Sequence, residues 1–218
     1  GVTTRDLDDY AAELIAAAGG KSAFLGYRGY PAQICTSVND EVVHGIPNRR
    51  KLEMGDVVSI DVGVELDGWI GDNARTVAVG VQDPEVLQLL EVTRQSLEAG
   101  IGKAVHGGRL SDISHAVETV VLDAGMHVVK DFVGHGVGRT MHEDPQIPNF
   151  GPPGRGPVLK TGMTLAIEPM VNLGTAKVEV MDDGWTVRTL NRRPSAHFEH
   201  TVLVREEQAE ILTCKKTS

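Results

Sequence analysis

The chain has 218 residues, with 30 acidic and 21 basic side chains and a formal net charge of −9. This length predicts one domain over residues 1–218. The acidic balance argues against direct nucleic-acid binding and against an anionic membrane surface. No run of 18 apolar residues and no secretory leader is visible, so we expect no membrane span and a cytoplasmic location. The two cysteines rule out a disulfide framework and favour a reducing compartment.

The first predicted element is an amphipathic helix that begins after Thr3, a residue type suited to the N-cap, and ends at Gly19-Gly20. Helical spacing predicts one apolar face, made of Leu7, Tyr10, Ala11, Leu14, Ile15 and Ala18.

A β-hairpin follows. Residues 57–66 alternate in the period of a strand, Asp67-Gly68 is a two-residue turn signal, and residues 69–79 form the return strand. This register places Asp61 and Asp72 on one face as diagonal neighbours, with Cβ atoms roughly 7 Å apart. Two acids held this way repel each other unless they are solvated or share a cation.

Two further helices are predicted. One begins at Asp83-Pro84 and runs to residue 101; the other contains Ile113, Val117 and Val121 and ends at Gly125. Residues 164–171 and 197–204 are predicted as strands, and residues 149–157, rich in glycine and proline, as a loop.

The chain has an internal repeat. Residues 6–19 match residues 112–125, and the strand that carries Asp61 matches the strand that carries Glu168. The sequence therefore predicts two halves, each with a helix followed by a strand bearing a carboxylate. The second half has an extra leading helix, residues 84–101, so we expect that a corresponding helix before Gly1 is missing and that apolar surface near Leu14 or Ile15 is exposed.

Further candidates lie in apolar or glycine-rich surroundings. His135 is flanked by glycines, which let the backbone present an imidazole, and Glu168 and Glu199 interrupt apolar runs. Each glutamate could lie in water on an edge strand, or be buried with a partner. His44 ends an apolar run at a turn and is uninformative alone.

Taken together, these residues favour a metal site. The four carboxylates Asp61, Asp72, Glu168 and Glu199 carry −4, which two divalent cations would neutralise. Oxygen-rich ligation with one imidazole, that of His135, suits Mn, Fe, Co or Zn. The composition of the set predicts a two-metal hydrolase.

The chain resembles the type I methionine aminopeptidases over essentially its whole length. The matching motifs, in chain order, span residues 25–31, 44–47, 59–62, 71–72, 134–139, 167–170 and 198–201. The resemblance implies the α+β pita-bread fold, in which two pseudo-symmetric halves with antiparallel sheets covered by helices enclose a central two-metal site.

The resemblance also implies the role of each ligand. Asp72 and Glu199 would bridge both metals, Asp61 would complete one, and His135 and Glu168 would complete the other. Glu168 would in addition handle the proton of the attacking water.

Two more histidines have implied roles at the substrate. His142 would hold the substrate carbonyl oxygen, and His44 would contact the scissile amide. The methionine side chain would enter a pocket made of Phe24, Tyr27, Tyr30, Cys35, Met141 and Trp185. Met141 stands where many bacterial members have an aromatic residue, so the resemblance does not fix the shape of this pocket.

The implied activity is removal of the initiator methionine from nascent proteins whose second residue is small, near the ribosome, by a monomer. The resemblance implies no direct nucleic-acid or membrane partner. Two alternatives share the fold: an X-Pro aminopeptidase or prolidase, which usually carries an extra N-terminal domain, and a non-catalytic pita-bread binding protein, which loses metal ligands.

Overall fold

The computed structural model describes residues 1–214, which form three α-helices and fifteen short strands in four antiparallel sheets. The helices are α1 (Thr4–Ala17), α2 (Pro84–Ile101) and α3 (Leu110–Asp123), and a 3₁₀ turn spans Tyr27–Gly29. The strands of the first half are β1 (Lys21–Ser22), β2 (Cys35–Val38), β3 (Glu41–Val43), β4 (Val57–Leu66) and β5 (Trp69–Ala78). The strands of the second half are β6 (His127–Val128), β7 (Gly134–Gly136), β8 (Glu143–Ile147), β9 (Thr164–Ile167), β10 (Met170–Asn172), β11 (Val178–Val180), β12 (Val187–Thr189), β13 (Ser195–His197), β14 (His200–Leu203) and β15 (Glu210–Ile211). Within residues 1–214, no helix is long and apolar enough to cross a membrane.

Helices α1 and α3 confirm the internal repeat. Each has 14 residues, and in each the carboxylate of the third helical residue accepts the N–H of the N-cap residue. Asp6 accepts from Thr3 at 2.8 Å, and Asp112 accepts from Arg109 at 2.9 Å. The equal length and like capping of the two helices agree with a fold of two pseudo-symmetric halves.

The predicted hairpin is confirmed residue by residue. Leu66 pairs with Trp69 and Asp61 with Ala74, so Asp61 and Asp72 share a face. The turn residues Asp67 and Gly68 have φ angles of 52° and 74°, which are the left-handed values that a two-residue hairpin turn needs. The other edge of β4 pairs with β1 and β2, so the strand is central in its sheet.

The strands predicted over residues 164–171 and 197–204 are each broken in two, which corrects the sequence-based expectation. Strands β9 and β14 pair in a five-stranded sheet with β7, whereas β10 and β13 pair in a separate three-stranded sheet. The breaks fall at Glu168-Pro169 and at Phe198-Glu199, where the chain passes from one sheet to the other. Proline cannot donate to a sheet ladder, and both glutamates lie where regular pairing stops.

The predicted apolar face of α1 is wrong in part. Tyr10 and Leu14 are 61% and 53% exposed, whereas Ile15 is buried. The buried face of α1 is rotated relative to the predicted face, because it also includes Asp8. Asp8 Oδ1 accepts hydrogen bonds from the N–H groups of Gln33 and Ile34 at 2.8 and 3.0 Å. The apolar surface expected to be exposed near Leu14 or Ile15 is found at Leu14 but not at Ile15.

The main hydrophobic core packs α2 and α3 against the five-stranded sheet of the second half. Leu89, Ile113 and Ile167 are fully buried in it. Helices α2 and α3 approach closely at Gly100, where an added Cβ would lie 2.9 Å from Val117 Cγ2. This core supports β9 and therefore the position of the residue that follows it, Glu168.

Candidate metal and substrate site

Four carboxylates and one imidazole meet where the two halves face each other. His135 Nε2 lies 3.8 Å from Asp72 Oδ2 and 3.4 Å from Glu168 Oε1. One ligand atom from each of Asp72, His135 and Glu199 can be chosen so that all lie within 4.8 Å of one another. Asp61 and Asp72 come from the β4–β5 hairpin, and each glutamate comes from one of the two strand breaks.

The two strand breaks lie side by side. Ile167 pairs with His200 and Met170 pairs with His197, so Glu168 and Glu199 sit opposite each other where no ladder hydrogen bonds form between them. The Glu199 N–H instead donates to Ala74 O at 2.8 Å, on the hairpin of the other half. Because both strands are interrupted at neighbouring positions, the Glu168 and Glu199 carboxylates can extend into the space between the halves.

Thr201 fixes the backbone of Asp72, a role that the sequence did not reveal. Its Oγ1 accepts the Asp72 N–H at 2.9 Å and donates to the Asp72 carbonyl at 2.8 Å. The Asn73 side chain donates to the carbonyl of Glu199. Thr201 thus holds the backbone of Asp72, and Asn73 holds the backbone of Glu199, each across the two halves. Thr201, Asp72 and Glu199 lie in the motifs that carried the resemblance.

Glycines beside His135 permit close packing of three strands. An added Cβ would lie 2.4 Å from Ala166 O at Gly134 and 2.4 Å from Asp144 O at Gly136. The Nδ1–H of His135 donates to the Gly136 carbonyl at 2.9 Å, since a carbonyl can only accept. The other ring nitrogen, Nε2, therefore presents its lone pair to the carboxylates, as a metal ligand would.

The donor set fits divalent cations. Burial is the main cause that raises the pKa values of Asp61, Glu168 and Glu199, and repulsion between neighbouring carboxylates raises them further. Burial also raises the pKa of Asp72, to about 7. Buried oxygens of Asp61, Asp72 and Glu199 have no hydrogen-bond partner in the described residues. Among those residues, no lysine or arginine forms an ion pair with any of the four carboxylates, so bound cations are the charges that would balance them.

An aromatic pocket adjoins the carboxylates. Tyr30 packs edge-on against Phe24 and Trp185, with ring centroids 6.5 and 5.0 Å away. The Phe24 ring lies on Gly63, where an added Cβ would be 2.4 Å from Phe24 Cε1. A cavity of about 140 Å³ contains all thirteen residues for which the sequence predicted a role, together with Arg28: Phe24, Tyr27, Tyr30, Cys35, His44, Asp61, Asp72, His135, Met141, His142, Glu168, Trp185 and Glu199.

His44 and His142 line the same cavity from opposite halves. His44 has a left-handed backbone, φ 60°, and its ring packs edge-on against Phe132 at 5.5 Å. His142 lies with its ring centroid 4.2 Å from that of His135. Burial lowers the pKa of each of His44 and His142 to about 4. Both rings are therefore neutral near pH 7 and can each donate one hydrogen bond.

His197 is a second residue that sequence reasoning missed. It is buried, its Nε2 has no hydrogen-bond partner in the described residues, and this atom lies 3.8 Å from Glu168 Oε2. Burial lowers the pKa of His197 to about 3, so the ring is neutral. The one available signal was its position two residues before Glu199.

Comparison with known proteins agrees with this geometry. Residues 1–206 match metallopeptidase family M24. Methionine aminopeptidase 1 of Bacillus subtilis is 50% identical over 213 residues, which cover 98% of this chain and 86% of that protein. The crystal structure of the methionine aminopeptidase of Thermotoga maritima has a TM-score of 0.97 at 49% identity, covering 99% of this chain and 87% of that one. The prolidase of Pyrococcus furiosus has a TM-score of 0.75 at 23% identity, covering 99% and 57% respectively, and shares the fold.

The fold and the buried acidic cluster define a pita-bread metallopeptidase. The chain belongs to metallopeptidase family M24 and, within it, to the methionine aminopeptidases. The resemblance predicted from the sequence motifs is confirmed, as is the aminopeptidase activity that it implies. The prolidase-like and non-catalytic alternatives are not favoured, because the similarity to prolidase reaches only 23% identity and the described residues retain all five expected ligands.

Proposed function

We propose that this enzyme removes the initiator methionine from nascent proteins whose second residue is small, with two divalent cations of the Mn, Fe, Co or Zn group. The observation that carries the proposal is the meeting of an aromatic pocket and a buried acidic cluster in one cavity. An apolar pocket with a few convergent polar groups is the usual form of a small substrate site, and a thioether packs well against aromatic rings.

The proposed ligand assignment follows the resemblance. Asp72 and Glu199 would be shared between two cations, Asp61 would complete the ligands of one, and His135 and Glu168 would complete those of the other. The contacts between His135, Asp72 and Glu168 support this division. When bound, a pair of divalent cations polarises the scissile carbonyl and lowers the pKa of water.

Glu168 is the proposed carrier of the proton. Its carboxyl group lines the cavity beside the other proposed ligands, where it can take a proton from the attacking water and pass it to the leaving amine. His142 is the proposed donor to the substrate carbonyl oxygen, and His44 the proposed contact of the scissile amide. Both rings are neutral and line the cavity, which supports these roles.

The proposed partner is the N-terminal peptide of a nascent protein, met near the ribosome in the cytoplasm by a monomeric enzyme. Direct nucleic-acid and membrane contacts are not part of the proposal, in keeping with the net charge of −9. The buried free thiol of Cys35 supports a reducing compartment.

Peptide hydrolysis tests the proposal. Met-Ala-Ser, Met-Lys-Ser and Ala-Pro-Ser are each incubated with the enzyme, with and without added Mn²⁺ or Co²⁺, and the released amino acid is measured. We expect methionine release from Met-Ala-Ser, little from Met-Lys-Ser, and no alanine from Ala-Pro-Ser. Preferential cleavage of Ala-Pro-Ser, or equal cleavage of the two methionine peptides, would contradict the proposed specificity.

A further inference from the structure

The hydroxyl of Tyr27 lies 2.8 Å from Nδ1 of His142. The two rings are also stacked, with centroids 5.4 Å apart and an interplanar angle of 19°. We infer that Tyr27 is a positioning residue: its hydroxyl donates to Nδ1 and thereby holds His142 in the tautomer that carries its proton on Nε2. This inference rests on the proposed role of His142 as donor to the substrate carbonyl oxygen, and adds to the packing role of Tyr27 in the methionine pocket.

The proposed donor role of His142 sets the direction of this hydrogen bond. A neutral imidazole has one donor nitrogen and one acceptor nitrogen. If the Tyr27 hydroxyl donates to Nδ1, then Nε2 carries the hydrogen that a substrate carbonyl can accept. In the reverse arrangement Nε2 would present a lone pair to that carbonyl oxygen and could not donate to it.

Two neighbouring histidines are then held in opposite tautomers. His135 donates from Nδ1 to the Gly136 carbonyl, which leaves Nε2 as a lone pair for a cation. His142, whose ring centroid lies 4.2 Å away, accepts at Nδ1 and keeps a proton on Nε2. The partner of Nδ1 therefore decides whether the histidine can bind a cation through Nε2, as His135 can, or donate a hydrogen bond from Nε2, as His142 can.

The backbone of Tyr27 is held in place by two hydrogen bonds within its own turn. Its N–H donates to Phe24 O at 2.9 Å, and its carbonyl accepts from Tyr30 N at 3.0 Å. His142 lies on an exposed loop of the second half, so packing alone does not set its orientation. The hydrogen bond between Tyr27 and His142 therefore positions His142, in the second half, against the 3₁₀ turn of the first half.

A double-mutant cycle with tautomer spectroscopy tests the inference. Tyr27→Phe keeps the ring and removes the hydroxyl, so kcat for Met-Ala-Ser should fall about 3- to 10-fold, the effect of one neutral hydrogen bond, with KM little changed. In His142→Ala enzyme the further change Tyr27→Phe should have no effect, because Tyr27 acts through His142. Tyr10→Phe, at an exposed tyrosine of α1, is the matched control and should keep wild-type kcat.

Nitrogen-15 NMR of histidine-labelled enzyme gives a readout independent of turnover. In Zn²⁺-loaded and in metal-free wild type, His142 should show a protonated Nε2 and an unprotonated Nδ1, and Tyr27→Phe should lose this fixed assignment. A proton on Nδ1 in wild type, unchanged kcat in Tyr27→Phe, or multiplicative effects in the double variant would overturn the inference alone. Wild-type kcat in His142→Ala would overturn the proposed role of His142 and this inference with it.

Discussion

His135 and His142 lie side by side, but their Nδ1 atoms have different hydrogen-bond partners. The two residues therefore suit different roles, one as a metal ligand and the other as a hydrogen-bond donor. The Gly136 carbonyl accepts from His135 Nδ1, so Nε2 is free to bind a cation. His142 has no carboxylate ion pair in the described residues, and its pKa is lowered by burial to about 4. A substitution at each position should therefore produce a different defect.

His142→Ala should lower kcat by about two to three orders of magnitude, because a donor aimed at a developing oxyanion is typically worth roughly 2.7–4 kcal/mol. Both cations should still bind. His44→Ala should behave similarly. His135→Ala should weaken the binding of one cation, and its activity should recover partly at high metal concentration. Titration calorimetry and peptide kinetics on the same preparations give both quantities.

The ligand variant and the two substrate-contact variants serve as controls for each other. Loss of a cation in His142→Ala would contradict the assignment of this residue to the substrate. Wild-type metal affinity in His135→Ala would remove it from the ligand set, even though family membership would stand.

Gly63 tests the wall of the methionine pocket. Because an added Cβ would lie 2.4 Å from Phe24 Cε1, Gly63→Ala must push this ring into the pocket. We expect the free energy of unfolding to fall by about 1–3 kcal/mol, as in overpacked cores, and KM for methionine peptides to rise. Urea unfolding and peptide kinetics measure these effects.

Gly71→Ala is the matched control on the neighbouring strand, because the nearest atom to its added Cβ is Thr213 Cγ2 at 3.9 Å. This variant should keep wild-type KM. An unchanged KM in Gly63→Ala would show that Phe24 does not shape the pocket.

The β4–β5 hairpin holds the loop that carries His142. Arg139 Nη1 donates to Gly68 O at 3.0 Å, and its guanidinium lies 3.7 Å from the centroid of Trp69. The Ile70 N–H donates to Gly138 O at 2.8 Å. Three contacts thus fasten the loop of the second half to the turn of the first.

Arg139→Ala should loosen this loop. An exposed cation–π contact is worth about 0.5–1 kcal/mol, so we expect kcat/KM to fall roughly 2- to 5-fold and the Ile70 amide to exchange faster with deuterium. Arg49→Ala, at an exposed arginine elsewhere, is the control and should keep wild-type values. Unchanged exchange at Ile70 in Arg139→Ala would contradict the fastening role.

Local sequence patterns predicted the elements whose conformation depends mainly on neighbouring residues. Alternation and the Asp67-Gly68 turn predicted the register of the hairpin, and therefore the shared face of Asp61 and Asp72. The helix repeat was predicted because residues 6–19 match residues 112–125 in their apolar positions. The structure adds that both helices use the same capping carboxylate, Asp6 in one and Asp112 in the other.

Features that depend on distant contacts were not predictable from local patterns. The strand break at Glu199 was missed because its N–H donates to Ala74 O, on a hairpin more than a hundred residues earlier. The buried face of α1 was predicted wrongly in part because Asp8 belongs to it. Its carboxylate is buried where it accepts the N–H groups of Gln33 and Ile34, which lie outside the helix. The chemistry of the residues indicated the five candidate metal ligands, whereas the role of each ligand, of His44 and His142 and of the pocket residues came from the resemblance.

The acidic cluster lies where the two halves of the molecule meet, and both halves contribute residues to it. Without cations, its buried carboxylates either repel one another or take up protons, as their raised pKa values indicate. Cation binding should therefore stabilise the entire fold.

Removal of metal should lower the melting temperature. A ligand that binds only the native state adds about 2.7 kcal/mol at one hundred times its Kd, which corresponds to roughly 5–10 °C for a chain of this size. Scanning calorimetry of chelated and metal-loaded enzyme measures the difference. An unchanged melting curve after verified metal removal would contradict a preorganised cation site.

Methionine release from Met-Ala-Ser by metal-stripped enzyme, measured as Mn²⁺ is titrated back, tests whether the acidic cluster is a catalytic metal site. We expect no release without metal, and release that rises with bound metal and saturates near two ions per chain. Glu199→Ala, which removes a proposed bridging ligand, should not recover at the same metal concentrations. Undiminished release from enzyme shown to contain no metal would rule out metal-dependent hydrolysis at this site.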